Sequence, residues 1–338
     1  MTTKIGIGIV GVGRIGRLHA EHMKKHSNIE LIGVSDVQVT KELLKWSEPF
    51  NLSIVTDNYM ELIQDERVKA IFICSPTNTH IDIIKAAVAH NKHIFCEKPI
   101  SFHYQDTKQL LELVQQSGII FQVGFNRRFD HNFYKVRQLM DNNKIGQPHI
   151  IKITSRDPAP PPASYIEASG GMFMDMSIHD FDMARYISGS EVETVFAEGA
   201  VLVDPSIGEL GDIDTAIITL RFANGALGVI DNSRKAAYGY DQRVEVLGEK
   251  GSISVENDVP TTVKISTEQS IETDHPKYFF LDRYIESYEV EVEQFIQSIM
   301  NGAPSPVTVV DGYEAERIAY AARESLLQGK VIHMNEIN

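Results

Sequence analysis

Short apolar runs and helix-spaced apolar positions alternate through the first third of the chain. "KIGIGIVGVG", "IELIGVSD", "VKAIFICSP", "KHIFCEKP" and "GIIFQVGF" are strand-like and rich in Ile, Val and Phe. Between them, residues 15–25, 80–90 and 104–116 carry apolar side chains at helical spacing. This rhythm predicts a parallel sheet covered by helices on both faces. Asn78 or Thr79 offers an N-cap to the helix starting near residue 80.

The pattern changes after about residue 126. A helix over 132–142 ends in "NNKIGQP", and longer strand-like segments follow: "HIIKITSRD", "TVFAEGAVLVD", "DTAIITLRFANGALGVIDNSR", "RVEVLGEKGSISVEN" and "TTVKISTE". Asn224-Gly225 between two alternating runs predicts a type I′ hairpin, and "GEKGS" a second one. These features predict a large, predominantly antiparallel sheet with the 132–142 helix on one face. A partner subunit is the simplest cover for the other face. Helices over 284–300 and 312–328 close the chain, and "DPAPPPASY" reads as a stiff proline loop.

At 338 residues the chain exceeds one ordinary hydrophobic core. The expected class is α/β: a doubly wound parallel sheet over 1–125, then an α+β domain with an open sheet over 126–338. The last helix is free to pack back on the first domain. An apolar fraction of 43% and a charged fraction of 23% describe a soluble globular protein. The net charge of −14, with no basic stripe, excludes nucleic acid as the expected partner. No apolar run is long enough to span a membrane, and "MTTKIGIGIVGVG" enters a strand without a leader-like segment. With only Cys74 and Cys96, both in apolar runs, a reducing cytoplasmic setting is expected.

"GIVGVGRIG" places Gly11-x-Gly13-x-x-Gly16 where the first strand meets the first helix. Gly11 suits a tight turn, Gly13 lets the backbone approach a pyrophosphate, and Gly16 lets the helix pack on the sheet. Arg14 and Ile15 open that helix, whose N-terminus favours an anion. The second strand ends in Asp36, about 20 residues on, where an acid binds the ribose hydroxyls. A Rossmann dinucleotide site follows, and the carboxylate favours NAD over NADP by repelling a 2′-phosphate. The strand-end loop "CSPTNTH" offers Ser75, Pro76, Asn78 and His80 to the nicotinamide side, and Asn126 is a further candidate.

"CEKPIS" ends the next strand and supplies Glu97 and Lys98, with Pro99 restricting the lysine's backbone. Further on, "SGGMFMDMSIHDFDMARYI" carries Asp175 and His179 at i and i+4, one face of a helix. Oxidising a secondary alcohol needs a base for the hydroxyl proton, and His179, with an unperturbed pKa of about 6.5, suits it. Asp175 can bind a hydroxyl and favour the imidazolium, and Lys98 can donate to the reacting oxygen. Met172, Phe173 and Met176 read as core. Asp180 and Asp182 point to other helix faces and are expected on the helix surface or pairing with a loop. A zinc site on Asp175 and His179 therefore wants further ligands, and no metal is expected.

The glycine fingerprint, "EKP" and "GGMFMDMSIHDFDMARY", in that order, resemble the Gfo/Idh/MocA oxidoreductase family over essentially the whole chain. The resemblance implies a Rossmann domain, a C-terminal domain on an open mixed sheet, and homotetramers formed through sheet faces. It implies NAD-dependent oxidation of a cyclic polyol and a Lys-Asp-His constellation falling on Lys98, Asp175 and His179. It further implies substrate contacts near Arg127, Arg128, Asp157, Tyr238 and Tyr240, the two tyrosines sharing a side if "YGY" is extended. A non-catalytic NAD(H)-binding regulator shares this architecture but has no need of the three catalytic groups.

Overall fold

A computed structural model describes residues 4–337, which separate into two compact units. The first comprises Met1–Asn126 and Glu286–Glu316, and the second Arg127–Ile285 and Arg317–Asn338.

In the first unit, strands β1 (Ile5–Val10), β2 (Ile29–Ser35), β3 (Ile54–Thr56), β4 (Val68–Ile73), β5 (His93–Cys96) and β6 (Phe121–Val123) form one parallel sheet. Its order, β3-β2-β1-β4-β5-β6, turns back at β1, which makes a crevice at the carboxyl ends of β1 and β4. The predicted helices lie at Arg14–Lys25, His80–Ala89 and Tyr104–Ser117. Two short ones, Lys41–Ser47 and Tyr59–Gln64, escaped the periodicity because each spans fewer than two full turns. Thr79 occupies the N-cap position of His80–Ala89 without capping it. Its hydroxyl turns to the Pro76 carbonyl and the Ser75 hydroxyl instead. Ile7, Ile9, Phe72 and Phe95 form the core with Val292, Phe295 and Ile296.

The second unit is built on a seven-stranded mixed sheet, ordered β12-β11-β7-β10-β9-β8-β15. Its strands are β7 (Pro148–Arg156), β8 (Val192–Ala200), β9 (Thr215–Phe222), β10 (Leu227–Ser233), β11 (Asp241–Gly248), β12 (Gly251–Val255) and β15 (Ile332–His333). Only β7 and β10 run parallel, so both end on the same edge. The helix Ile178–Ser188 packs on β7 and against the helix His131–Asp141. Alternation sets the faces: Ile151, Ile153, Ile218 and Ile230 are buried, whereas Leu247, Ile150 and Leu227 form an exposed row across three paired strands.

Two local expectations change. Gly225 adopts φ 88° but Asn224 stays out of the left-handed region, so the β9–β10 turn is not type I′. "TTVKISTE" does not join the large sheet, because β13 (Lys264–Ser266) pairs only with β14 (Ile271–Thr273) in an exposed two-stranded ribbon.

Within the first unit, Glu316 is fully buried and accepts the Ser101 N–H at 3.0 Å. Burial pushes its carboxyl up to about 8 despite the backbone donors. The folded chain therefore holds a proton that the unfolded chain releases above the ordinary carboxyl range. That stabilising contribution is complete at acid pH and disappears as pH rises through about 8. Glu316→Gln should flatten the decline of stability between about pH 5 and 8 by up to about 1.4 kcal/mol per pH unit. Denaturant melts with parallel pH dependence in variant and wild type would reject this.

Candidate active site

The dinucleotide loop is built by excluding side chains. A Cβ on Gly11 would meet the Ser75 backbone nitrogen at 2.4 Å, and one on Gly16 would meet the Gly11 oxygen at 2.0 Å. A Cβ on Gly13 would meet nothing within 4 Å, so that position faces open space at the start of the helix Arg14–Lys25. Arg14 is exposed and Ile15 half-buried on the first turn. Asp36 accepts the Val12 N–H at 2.9 Å and the Gln38 N–H at 3.2 Å. The acid at the end of β2 thus braces the glycine loop.

Ser75 is half-buried, and Pro76 and Asn78 are exposed at the carboxyl end of β4. His80 behaves differently from expectation. It is buried, with Nδ1 3.0 Å from the Pro99 oxygen and Nε2 2.8 Å from the Ser75 oxygen. The imidazole ties two strand-end loops together, and burial lowers its pKa. Glu97 also turns inward, its Oε1 3.0 Å from His19 Nε2. Lys98 is half-buried, precedes a cis peptide to Pro99, and Asn126 is buried.

In the second unit, Phe173–Ser177 is a π-helical turn that runs into the helix Ile178–Ser188. Between Met172 and Arg185 every position is buried except Asp175 and His179. The two chemical residues are therefore the ones that reach solvent in an otherwise packed run. Tyr165 donates its hydroxyl to Asp175 Oδ1 at 2.8 Å, and Arg234 Nη1 donates to Oδ2 at 3.2 Å.

Asp180 and Asp182 pair with a loop, as expected, but lie in the core and not on the surface. Arg127 Nη1 donates to Asp180 Oδ1 at 2.6 Å, and Asn232 donates to Oδ2 at 2.8 Å. Arg128 grips Asp182 through Nε and Nη2, at 2.6–3.1 Å. All four side chains are nearly inaccessible. Arg128, expected at the substrate, is thus engaged with Asp182.

The tyrosines of "YGY" separate. The segment turns at Gly239 (φ 129°) instead of extending, so Tyr240 is buried and receives Arg127 Nη2 at 3.4 Å. Tyr238 is exposed, receives Arg156 Nη1 and donates to Asp241. Arg156 alternates with the buried Ser155, so this cluster continues the sheet's uncovered face. Asp157 follows on the covered side, and burial pushes its carboxyl up to about 6, opposed by Arg234 and raised further by Asp175. Tyr165, Asp212 and Arg234 carried no motif in the sequence. The one available signal for Arg234 was its place just after a strand.

A Rossmann unit with a glycine cradle braced by the acid at the end of β2, followed by a mixed-sheet unit exposing an Asp and a His from a packed helix, defines a nicotinamide-dependent oxidoreductase. The comparisons make the class specific. Residues 5–125 match the oxidoreductase family with an NAD-binding Rossmann fold, and 133–254 match the GFO/IDH/MocA C-terminal domain. The chain belongs to the Gfo/Idh/MocA oxidoreductase family. An uncharacterised oxidoreductase of Bacillus subtilis is 52% identical over 97% of this chain and 96% of its own. A myo-inositol 2-dehydrogenase of Thermotoga maritima is 48% identical over 98% and 99%. A Lactobacillus casei scyllo-inositol dehydrogenase, solved with NAD(H) and scyllo-inositol, superposes with a TM-score of 0.92 at 30% identity, covering 98% of this chain and 100% of that one.

Asp36→Ala removes the brace on the Val12 N–H and the acceptor expected for the ribose. NADH affinity should fall roughly 10-fold or more, with a smaller loss for NADPH. Fluorescence titration of the two cofactors checks this, and an unchanged NADH affinity would contradict it.

Proposed function

We propose that this chain is an NAD-dependent inositol 2-dehydrogenase, oxidising the 2-hydroxyl of myo-inositol to 2-keto-myo-inositol (scyllo-inosose). The observation that carries the reading is the packed helical run in which only Asp175 and His179 reach solvent between Met172 and Arg185. The full-length similarity to a myo-inositol 2-dehydrogenase supports the substrate class.

His179 takes the hydroxyl proton as the carbinol carbon gives up its hydride. Lys98 donates to the reacting oxygen and stabilises its alkoxide character. Asp175, held in place by Arg234 and Tyr165, favours the imidazolium that forms on His179. The bound NAD supplies the hydride acceptor. In the reverse direction the same groups protonate a ketone oxygen. The relative solved with scyllo-inositol favours a second reading, a preference for the epimer, which differs by the direction of one hydroxyl.

The assay is NADH formation with myo-inositol, scyllo-inositol and glucose in parallel, using NAD and then NADP. We expect turnover with NAD and an inositol. NADH binding without turnover of any polyol would instead mark a non-catalytic regulator. His179→Ala should lower kcat by roughly 10²–10⁴-fold while leaving NADH affinity intact. An unchanged kcat would remove the histidine from its role.

The sheet's exposed row, Leu247–Ile150–Leu227, is the surface we assign to contacts between copies in a homotetramer. The double variant Ile150→Asp/Leu227→Asp should shift the mass in light scattering towards a single chain. Retention of the wild-type mass would place the contact elsewhere.

A further inference from the structure

Arg234 is a fully buried cation whose task so far is its bond to Asp175. It follows β10 where Asp157 follows β7, and the two strands run parallel with Ser233 paired to Arg156. The next residues, Asp157 and Arg234, therefore emerge side by side on the covered face, with the Asp157 N–H donating to the Ser233 carbonyl at 2.9 Å. The Arg234 side chain is 1% exposed. Its Nη1 donates to Asp175 Oδ2, and its Nη2 lies 3.7 Å from Asp212 Oδ2. Among the described residues, Nε and Nη2 make no hydrogen bond, nor does Asp212 Oδ2.

Burying a guanidinium with two nitrogens short of hydrogen bonds is costly, so a structure that keeps one has a use for the bond it does make, to Asp175. Three carboxylates, Asp157, Asp175 and Asp212, converge on this one cation, and Tyr165 closes the other oxygen of Asp175. The half-buried Asp175 and Asp157 carboxylates, held beside this cation, suit a ligand rich in hydroxyls, each of which can donate to a carboxylate oxygen. Asp212 is itself anchored by the Met172 N–H at 3.0 Å, which ties the array to the start of the functional helix.

We propose that Arg234 is a positioning and specificity residue of the polyol site: from its buried position it fixes the Asp175 carboxylate, which with Asp157 meets adjacent ring hydroxyls. The proposal rests on the polyol-dehydrogenase reading. It adds a test of protonation as well as affinity, because Asp157 faces Arg234 and Arg127 as cations and Asp175 and Asp180 as acids, with Tyr165 and Tyr240 alongside. Removing the Arg234 charge raises the pH at which Asp157 ionises. A group already pushed up to about 6 then titrates closer to neutrality.

The experiment compares wild type, Arg234→Lys and Arg234→Gln in steady-state turnover of myo- and scyllo-inositol from pH 5 to 9. NADH titration and thermal melts accompany each variant. Arg234→Gln should raise the inositol KM at least 10-fold, leave NADH affinity unchanged, and move the acid limb of kcat/KM to higher pH. Arg234→Lys keeps the charge but loses the planar fork, so it should restore the limb and not the KM. An active wild type whose Arg234→Lys variant keeps the wild-type KM overturns the proposal, even if Arg234→Gln does not fold. A folded Arg234→Gln with the wild-type acid limb overturns it too. Wild type without turnover on any polyol is the separate failure of the underlying reading.

Discussion

Two buried ion pairs hold the helix that carries His179. Arg127 and Arg128 are consecutive, and they clamp Asp180 and Asp182 on the helix Ile178–Ser188. Asp180 is the residue after His179 in the chain and also accepts from Asn232, while Arg127 reaches Ser155 and Tyr240. A buried pair of this kind adds little net stability over well-packed apolar residues, because both charges are desolvated. Its directional bonds do set the helix's rotation about its axis and its position along β7. With both acids turned into the protein, Asp175 and His179 are left on the accessible side. The dinucleotide unit uses the same device on a smaller scale, where Asp36 fixes the glycine loop through one backbone N–H.

The parallel half of the fold was legible because its signals are local. Strand runs, helical spacing and the three glycines each depend on residues within one βαβ unit. Gly11 and Gly16 show why the fingerprint is so strict, since a single added carbon would strike backbone atoms that cannot move aside. The second unit was legible in class and less so in detail. Its β7–β10 parallel pair joins strands about 70 residues apart, and no periodicity announces such a pairing. The ribbon formed by β13 and β14 has the alternation of a sheet strand yet finds no partner in the large sheet.

Legibility of the site divides along the same line. The shared accessible side of Asp175 and His179 was readable because helical spacing is a local signal within one short segment. The partners of Asp180 and Asp182 were not, since spacing shows only that they leave the shared face and says nothing of what meets them there. His80 and Glu97 have the right residue types at strand ends that face a ligand crevice, but burial drew both inward. The imidazole bridges two backbone oxygens, and the glutamate meets His19. Position at a strand end locates a loop, and local satisfaction of polar atoms then decides which side chains remain free for ligand.

Arg234 shows where that logic operates in reverse. Arg127 and Arg128 have their charges answered inside the protein, and the consequence is rigidity. Arg234 is just as deeply buried, yet two of its nitrogens are left without hydrogen bonds beside an acid that reaches solvent. Desolvation costs every buried guanidinium alike, so the difference lies in what completes the shell. For the pair of consecutive arginines the chain completes it. For Arg234 the polar atoms on hand are three carboxylates around a single cation, an excess of negative charge that a neutral, hydroxyl-rich ligand can bridge without adding to it. The parallel strand ends bring that imbalance together at the helical run bearing Asp175 and His179, which is the physical ground for the proposed role of Arg234 in substrate recognition.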